Sequence, residues 1–73
     1  MDKLRSIEYF VAAAREGSLS RAARRFEVSV PAVAKMVGAL ERELGATLFN
    51  RTTRGLILTA EGERYLTVCE TLI

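Results

Sequence analysis

The sequence predicts a mostly α-helical domain of three helices, a two-stranded β-hairpin and the start of a fourth helix. Apolar residues recur at helical spacing in four stretches, and Ser18, Ser29 and Thr59 stand where the last three helices would begin. Between the third and fourth stretches, two short segments that favour β structure flank a connection ending in glycine. A chain of 73 residues has room for one such domain with a single thin core.

The first helix is predicted over residues 3–15. Asp2 can cap its start, and Gly17 can end it in the left-handed conformation. Its apolar face consists of Leu4, Ile7, Phe10, Val11 and Ala14. The second helix is expected to begin after Ser18 and to run to about Phe26.

The third helix is predicted over residues 30–44, after a connection of only Glu27 and Val28 and a cap at Ser29. Proline at position 31 gives up no helical hydrogen bond in a first turn, and Gly45 can close the helix. Its predicted core face is Val33, Met36, Val37, Leu40 and Leu44. Two helices joined by so short a turn form a helix-turn-helix, over about residues 18–37.

A β-hairpin is predicted from strands at 46–50 and 56–58, joined by the five residues 51–55. A hairpin after the second helix of a helix-turn-helix makes a winged helix, with its wing over 50–55, and the winged domain would span residues 1–58. Residues 59–73 then begin a final helix, whose broad apolar stripe comprises Tyr65, Leu66, Val68, Cys69, Leu72 and Ile73. This stripe reaches the last residue, so we expect it to need more chain or a partner helix.

The residue inventory argues against an enzyme. The chain has no His and one Cys, which excludes Ser-His-Asp and Cys-His chemistry, an internal disulfide and a structural zinc. We therefore expect no catalytic residue, no metal and no cofactor. No run of about 18 apolar residues is present, so no membrane span is expected. The single cysteine suits a reducing compartment, and the expected location is cytoplasmic.

Positive charge is concentrated in the centre of the chain. Residues 15–54 hold eight basic residues against four acidic ones, although the net charge of the whole chain is only +2. A basic centre suggests a polyanionic partner, but a solvated surface of mixed charge would have the same composition.

The outward face of the third helix is predicted to meet that partner. It carries small or apolar residues and little acid, with Val30, Pro31, Ala34 and Lys35 expected nearest the bases of a nucleic acid. The remaining candidates are polar or basic residues of the wing and the two helix caps, which could meet phosphates: Ser18, Ser29, Arg51, Thr52 and Arg54. There are two alternatives. The small residues of the helix face can result from neutral drift, and the basic residues of the loop can serve only to keep the surface soluble.

Four segments, "GSLSRAA", "VSVPAV", "LERELGATLFNRT" and "LTAEGE", resemble the N-terminal DNA-binding domain of LysR-type transcriptional regulators. This resemblance implies a bacterial, sequence-specific winged helix-turn-helix that binds double-stranded DNA. It also implies a linker helix, begun by residues 59–73, that pairs two subunits, and a C-terminal domain absent from this chain that binds a small-molecule inducer. We expect a homodimer whose interface includes part of the apolar stripe, namely Tyr65, Val68, Cys69 and Leu72.

The candidate DNA-contacting surface departs from the usual pattern of that family. Many members carry Gln before the proline and Ser-Arg-Gln where Ala34, Lys35 and Met36 stand here. The family's usual base contacts therefore do not transfer to these positions, whereas Pro31, Lys35, Arg51 and Arg54 fit the pattern. Apolar side chains can pack on the thymine methyl group, so we expect a half-site rich in A·T. The competing hypothesis is a winged helix that contacts only another protein.

Overall fold

The computed structural model describes residues 3–72. It contains four helices and one antiparallel hairpin, which confirms the predicted fold class. In chain order the elements are α1 (Lys3–Glu16), α2 (Leu19–Phe26), α3 (Val30–Leu44), β1 (Phe49–Thr52), β2 (Gly55–Leu58) and α4 (Ala60–Glu70). No helix among these residues is long and apolar enough to cross a membrane.

The core is built around α1, which packs against α2, α3 and α4. Phe10 is completely buried, and its ring lies 5.3 Å from that of Phe49 and 5.5 Å from that of Tyr65, measured between centroids. The hairpin and α4 are thereby joined to the same core as the helices. Short side chains at Ala22 and Ala23 are buried on α2 and allow the helices to approach closely.

Two residues expected in the core are exposed instead. Leu4 is 54% exposed and Leu44 is 40% exposed. Both lie where the start of α1 meets the end of α3, next to the surface ion pair between Lys3 and Glu43. Helical spacing identifies the correct face of each helix, but the core ends before the helices do.

The predicted caps of α2, α3 and α4 are present. The hydroxyl oxygen of Ser18 accepts a hydrogen bond from the Arg21 amide, and that of Ser29 accepts one from the Ala32 amide, both at 3.2 Å. Thr59 accepts from the Gly62 amide at 2.9 Å. Each bond satisfies one of the amides that a helix start leaves without a partner. The cap proposed for α1, Asp2, lies outside the described residues.

The predicted hairpin is wrong in its first strand. The strand begins at Phe49 rather than residue 46 and continues to Thr52, so only two residues connect the strands instead of five. The amides of Leu48 and Phe49 both donate to the Glu41 carboxylate, which ties this part of the chain to α3 instead of to a second strand. At the other end, Gly55 has a φ of 122°, which permits the tight turn.

Candidate nucleic-acid interface

The start of α3 presents the residues that the sequence singled out. Val30, Pro31 and Lys35 are exposed, and Ala34 is half-buried one turn along the helix from Val30. The cap residue Ser29 is also exposed. A cluster of short and apolar side chains is therefore open to a partner at the start of α3.

Arg51 of the hairpin lies beside the start of this helix. It lines a groove of about 270 Å³ together with Ser18, Val30 and Thr52, and a smaller one of about 70 Å³ together with Ala34. The starts of α2 and α3 thus meet β1 at one surface. Five of the nine residues predicted to bind DNA surround these two grooves.

The tip of the hairpin is ordered by Thr52. Its hydroxyl donates to the Gly55 carbonyl oxygen at 3.0 Å and accepts from the Arg54 amide at 3.1 Å. Thr52 therefore shapes the turn, and Arg54 occupies the exposed outer end. Arg54 lines neither groove, so the structure separates it from Arg51 although both belong to the hairpin.

Several basic side chains of this surface lack an acidic partner among the described residues. Over residues 3–72, Lys35, Arg51 and Arg54 form no ion pair, and neither do Arg21 and Arg24 on α2. The ion pairs that do form involve other cations, as between Arg15 and Glu70 at 3.0 Å and, on α2, between Arg25 and Glu16 at 4.0 Å. Unpaired cations around an acid-poor helix start suit a polyanion.

The sequence prediction did not include Arg21, Arg24 or Glu41 among the functional candidates. The two arginines are exposed on α2 and could have been found from their position off its apolar stripe. Glu41 lines the smaller groove and binds the amides of Leu48 and Phe49. Its signal in the sequence is an acidic residue on a face of α3 that otherwise lacks acid.

Gly38 leaves the outward face of α3 open without serving the packing of the chain. A Cβ atom at this position would meet only the Arg42 Nη1 atom, at 3.6 Å, which is an ordinary contact. Glycine in a helix interior costs about 1 kcal/mol relative to alanine. Packing within the domain therefore gives no reason for this glycine.

The predicted dimer surface on α4 is only partly exposed. Val68 is 55% exposed and Leu72 is 62% exposed, whereas Tyr65 is half-buried against Phe10. Cys69 is completely buried in the core of this chain, contrary to its assignment to the dimer surface, because it faces inward with α1. Ile73 lies outside the described residues.

An open groove lies beside the exposed part of this surface. It has a volume of about 280 Å³ and runs between the end of α3 and α4, lined by Leu44, Tyr65 and Val68 among others. Burial raises the pKa of the Cys69 thiol, which keeps the thiol neutral at physiological pH and argues against a redox role. Burial also raises the pKa of the Tyr65 hydroxyl.

These features together define a winged helix-turn-helix domain: three helices around α1, a Ser-capped second helix of the motif, and a basic hairpin beside it. Residues 4–63 match the family described as bacterial regulatory helix-turn-helix protein, lysR family. The chain belongs to this family.

Relatives and solved structures agree with this assignment. The transcriptional regulator ClcR of Pseudomonas putida is 45% identical over 64 residues, which cover 88% of this chain and 22% of ClcR. A crystal structure of a CbnR_DBD–DNA complex superposes with a TM-score of 0.92 at 38% identity, covering 99% of this chain and 82% of that one. A BenM_DBD complex with catB site 1 DNA has a TM-score of 0.91 at 33% identity, covering 99% and 80%.

The matched part of this chain spans about a fifth of the length of ClcR and less than half of the length of BudR from Klebsiella aerogenes. Those relatives are named as transcriptional regulators, which confirms the prediction that this chain is not an enzyme.

Proposed function

We propose that this chain is the sequence-specific DNA-binding domain of a bacterial LysR-type transcriptional regulator. The observation that carries the proposal is the surface where the exposed, acid-poor start of α3 adjoins Arg51 of the hairpin, which forms no ion pair within residues 3–72. A helix of this width enters the major groove, and a basic hairpin beside it meets the adjacent backbone or the minor groove. The similarity to two domains crystallised with DNA supports the same conclusion.

Each part of the surface has a distinct role in this proposal. Val30, Pro31 and Ala34 pack against base edges, with thymine methyl groups as the preferred partners, and Lys35 binds a guanine edge or a phosphate. Arg51 binds phosphate along the duplex backbone. Thr52, whose hydroxyl proton is already donated to the Gly55 carbonyl oxygen, contributes by shaping the turn beside it.

Arg54, at the outer end of the hairpin, favours a narrow minor groove, whose negative potential is strongest in A·T-rich DNA. Ser18 and Ser29 already cap α2 and α3, so their contribution is to hold the N-termini of these two helices toward the phosphates.

The proposal extends to assembly. Residues 1–58 form the winged helix-turn-helix, and residues 59–73 are the N-terminal part of a linker helix that pairs two copies across a two-fold axis. Val68 and Leu72 supply its exposed apolar surface, with Tyr65 at the edge. A separate inducer-binding domain would belong to the longer protein, which would act in the cytoplasm, where bacterial DNA lies.

A mobility-shift titration on a random duplex, repeated at several salt concentrations, tests this function. If the domain neutralises about four phosphates, the logarithm of the binding constant should fall against the logarithm of salt concentration with a slope of about −3 to −4. In vitro selection of sites should then enrich A·T-rich half-sites. A chain that binds no duplex at low salt would favour the alternative, a winged helix that contacts only protein.

A further inference from the structure

Glu41 joins the third helix to the hairpin by its side chain. One carboxylate oxygen, Oε2, accepts hydrogen bonds from the Leu48 amide at 2.7 Å and from the Phe49 amide at 3.3 Å. Phe49 is the first residue of β1, opposite Leu58 of β2. The carboxylate therefore holds the point at which the hairpin leaves the helical part of the domain.

The hairpin is also held on its other strand. The Leu56 amide donates to the Gly17 carbonyl oxygen at 3.2 Å, which ties β2 to the turn between α1 and α2. Since the two strands are hydrogen-bonded to each other, these two attachments fix the hairpin relative to both helices of the helix-turn-helix. Of these two attachments, the one through Glu41 joins the hairpin directly to α3.

The Glu41 carboxylate is not used to neutralise the hairpin. Glu41 and Arg51 line the same small groove, yet within residues 3–72 they form no ion pair. An acidic side chain next to a surface that binds phosphate opposes binding by its charge. Its presence there is explained by the two amides that it holds.

We propose that Glu41 is a positioning residue for DNA binding: its carboxylate sets the placement of Arg51 and Arg54 relative to α3. This inference rests on the proposed function. A helix in the major groove and a hairpin on the backbone bind together only if their spacing matches that of the duplex, and a site held by packed supports is more precise than one on a free loop. Without the carboxylate, α3 still enters the major groove, but Arg51 and Arg54 of the hairpin are no longer held at the distance from α3 that the duplex backbone requires.

Two substitutions at this position separate hydrogen bonding from charge. Glu41→Gln keeps an oxygen that can accept from both amides, because a single oxygen does so in the native protein. Glu41→Met has a similar length and no comparable acceptor. We expect the Gln variant to bind a selected duplex within about twofold of the native protein, and the Met variant to bind roughly tenfold more weakly.

The link to the hairpin is tested by repeating both substitutions in a background that carries Arg51→Ala and Arg54→Ala. If Glu41 acts through these arginines, Glu41→Met has little further effect there, which is the coupling that a double-mutant cycle measures. The salt dependence of the Met variant should also become shallower, toward that of the double arginine variant, by about one unit of slope for each phosphate that the hairpin no longer binds. If Glu41→Met only destabilised the fold, the molecules that remain folded would bind the same number of phosphates, and the slope would not change.

Three results would overturn the inference. They are a Gln variant that binds DNA as weakly as the Met variant, a Met variant that binds normally, or a loss of affinity from Glu41→Met that is equally large in the background lacking Arg51 and Arg54. If the Met variant does not fold by circular dichroism, Glu41→Asp replaces it with the same expectation, because its carboxylate is one methylene short of the amides. Absence of binding by the native chain would instead refute the proposed function, so the two failures are distinguishable.

Discussion

The start of α4 packs against the segment before the hairpin so closely that Gly62 has no room for a side chain. A Cβ atom at position 62 would lie 2.2 Å from the Leu48 carbonyl oxygen and 3.0 Å from the Leu58 Cδ2 atom. The same carbonyl accepts a hydrogen bond from the Thr59 amide at 3.0 Å, at the cap of α4. Gly62→Ala must therefore move backbone atoms and disturb this bond.

The expected loss of stability follows from three contributions. Overpacking costs about 1–3 kcal/mol, and weakening one hydrogen bond costs about 1 kcal/mol. Replacing glycine by alanine in a helix returns at most about 1 kcal/mol. The net destabilisation should be roughly 2 kcal/mol, which corresponds to a fall in Tm of about 8–16 °C for a domain of this size.

Gly38→Ala is the matched control, because it makes the same chemical change on α3 where the new Cβ meets only the Arg42 side chain. It should raise the free energy of unfolding by up to about 1 kcal/mol. Thermal unfolding followed by circular dichroism in the far ultraviolet measures both variants. A Gly62→Ala variant that melts as high as the native protein, or a Gly38→Ala variant that melts as low as Gly62→Ala, would refute the packing argument.

Three further substitutions test the proposed DNA surface, and one tests the dimer surface. If Lys35 binds a base, Lys35→Ala should cost about 1–3 kcal/mol of binding free energy, concentrated at one base position in a set of single-base duplex variants; an equal loss on all duplexes would assign Lys35 to phosphate. Arg54→Ala should weaken binding most on duplexes with A·T-rich flanks. Ala34→Leu should abolish binding in a mobility shift while leaving the fold intact, and normal binding would exclude α3 from the groove. Val68→Glu should shift the chain toward monomer in sedimentation, and unchanged association would remove α4 from the dimer interface.

The helices could be predicted because their signals are local. Ser18, Ser29 and Thr59 each bond an amide three residues ahead, so a cap and the helix that it starts are adjacent in sequence. The observed bounds Leu19–Phe26 and Val30–Leu44 accordingly agree with the predicted ones. The exposure of Leu4 and Leu44 was not predictable in the same way, since it depends on where two helices meet.

The hairpin is predicted less well because its start is determined by a side chain of the preceding helix, which the alternation of the strand residues does not include. Residues 46–48 alternate in a way that suits a strand, yet the Leu48 amide is bound by Glu41, seven residues earlier on α3. The strand pattern itself does not identify this partner. Cys69 is a similar case: the stripe on α4 was identified, but which of its members face α1 depends on the packing of the whole domain.

The corrected strand changes what Arg51 can do. In the predicted hairpin Arg51 belonged to a loop, with no defined direction for its side chain. In the structure it lies on β1, two residues after Phe49 and opposite the half-buried Leu56. Side chains two apart on a strand share a face, and since Phe49 is buried in the core, Arg51 must lie on that same inward side, where it lines the grooves beside α3. The pleat thus places Arg51 beside the start of α3, so in the proposed complex Arg51 is the wing residue best placed to bind the same duplex as that helix.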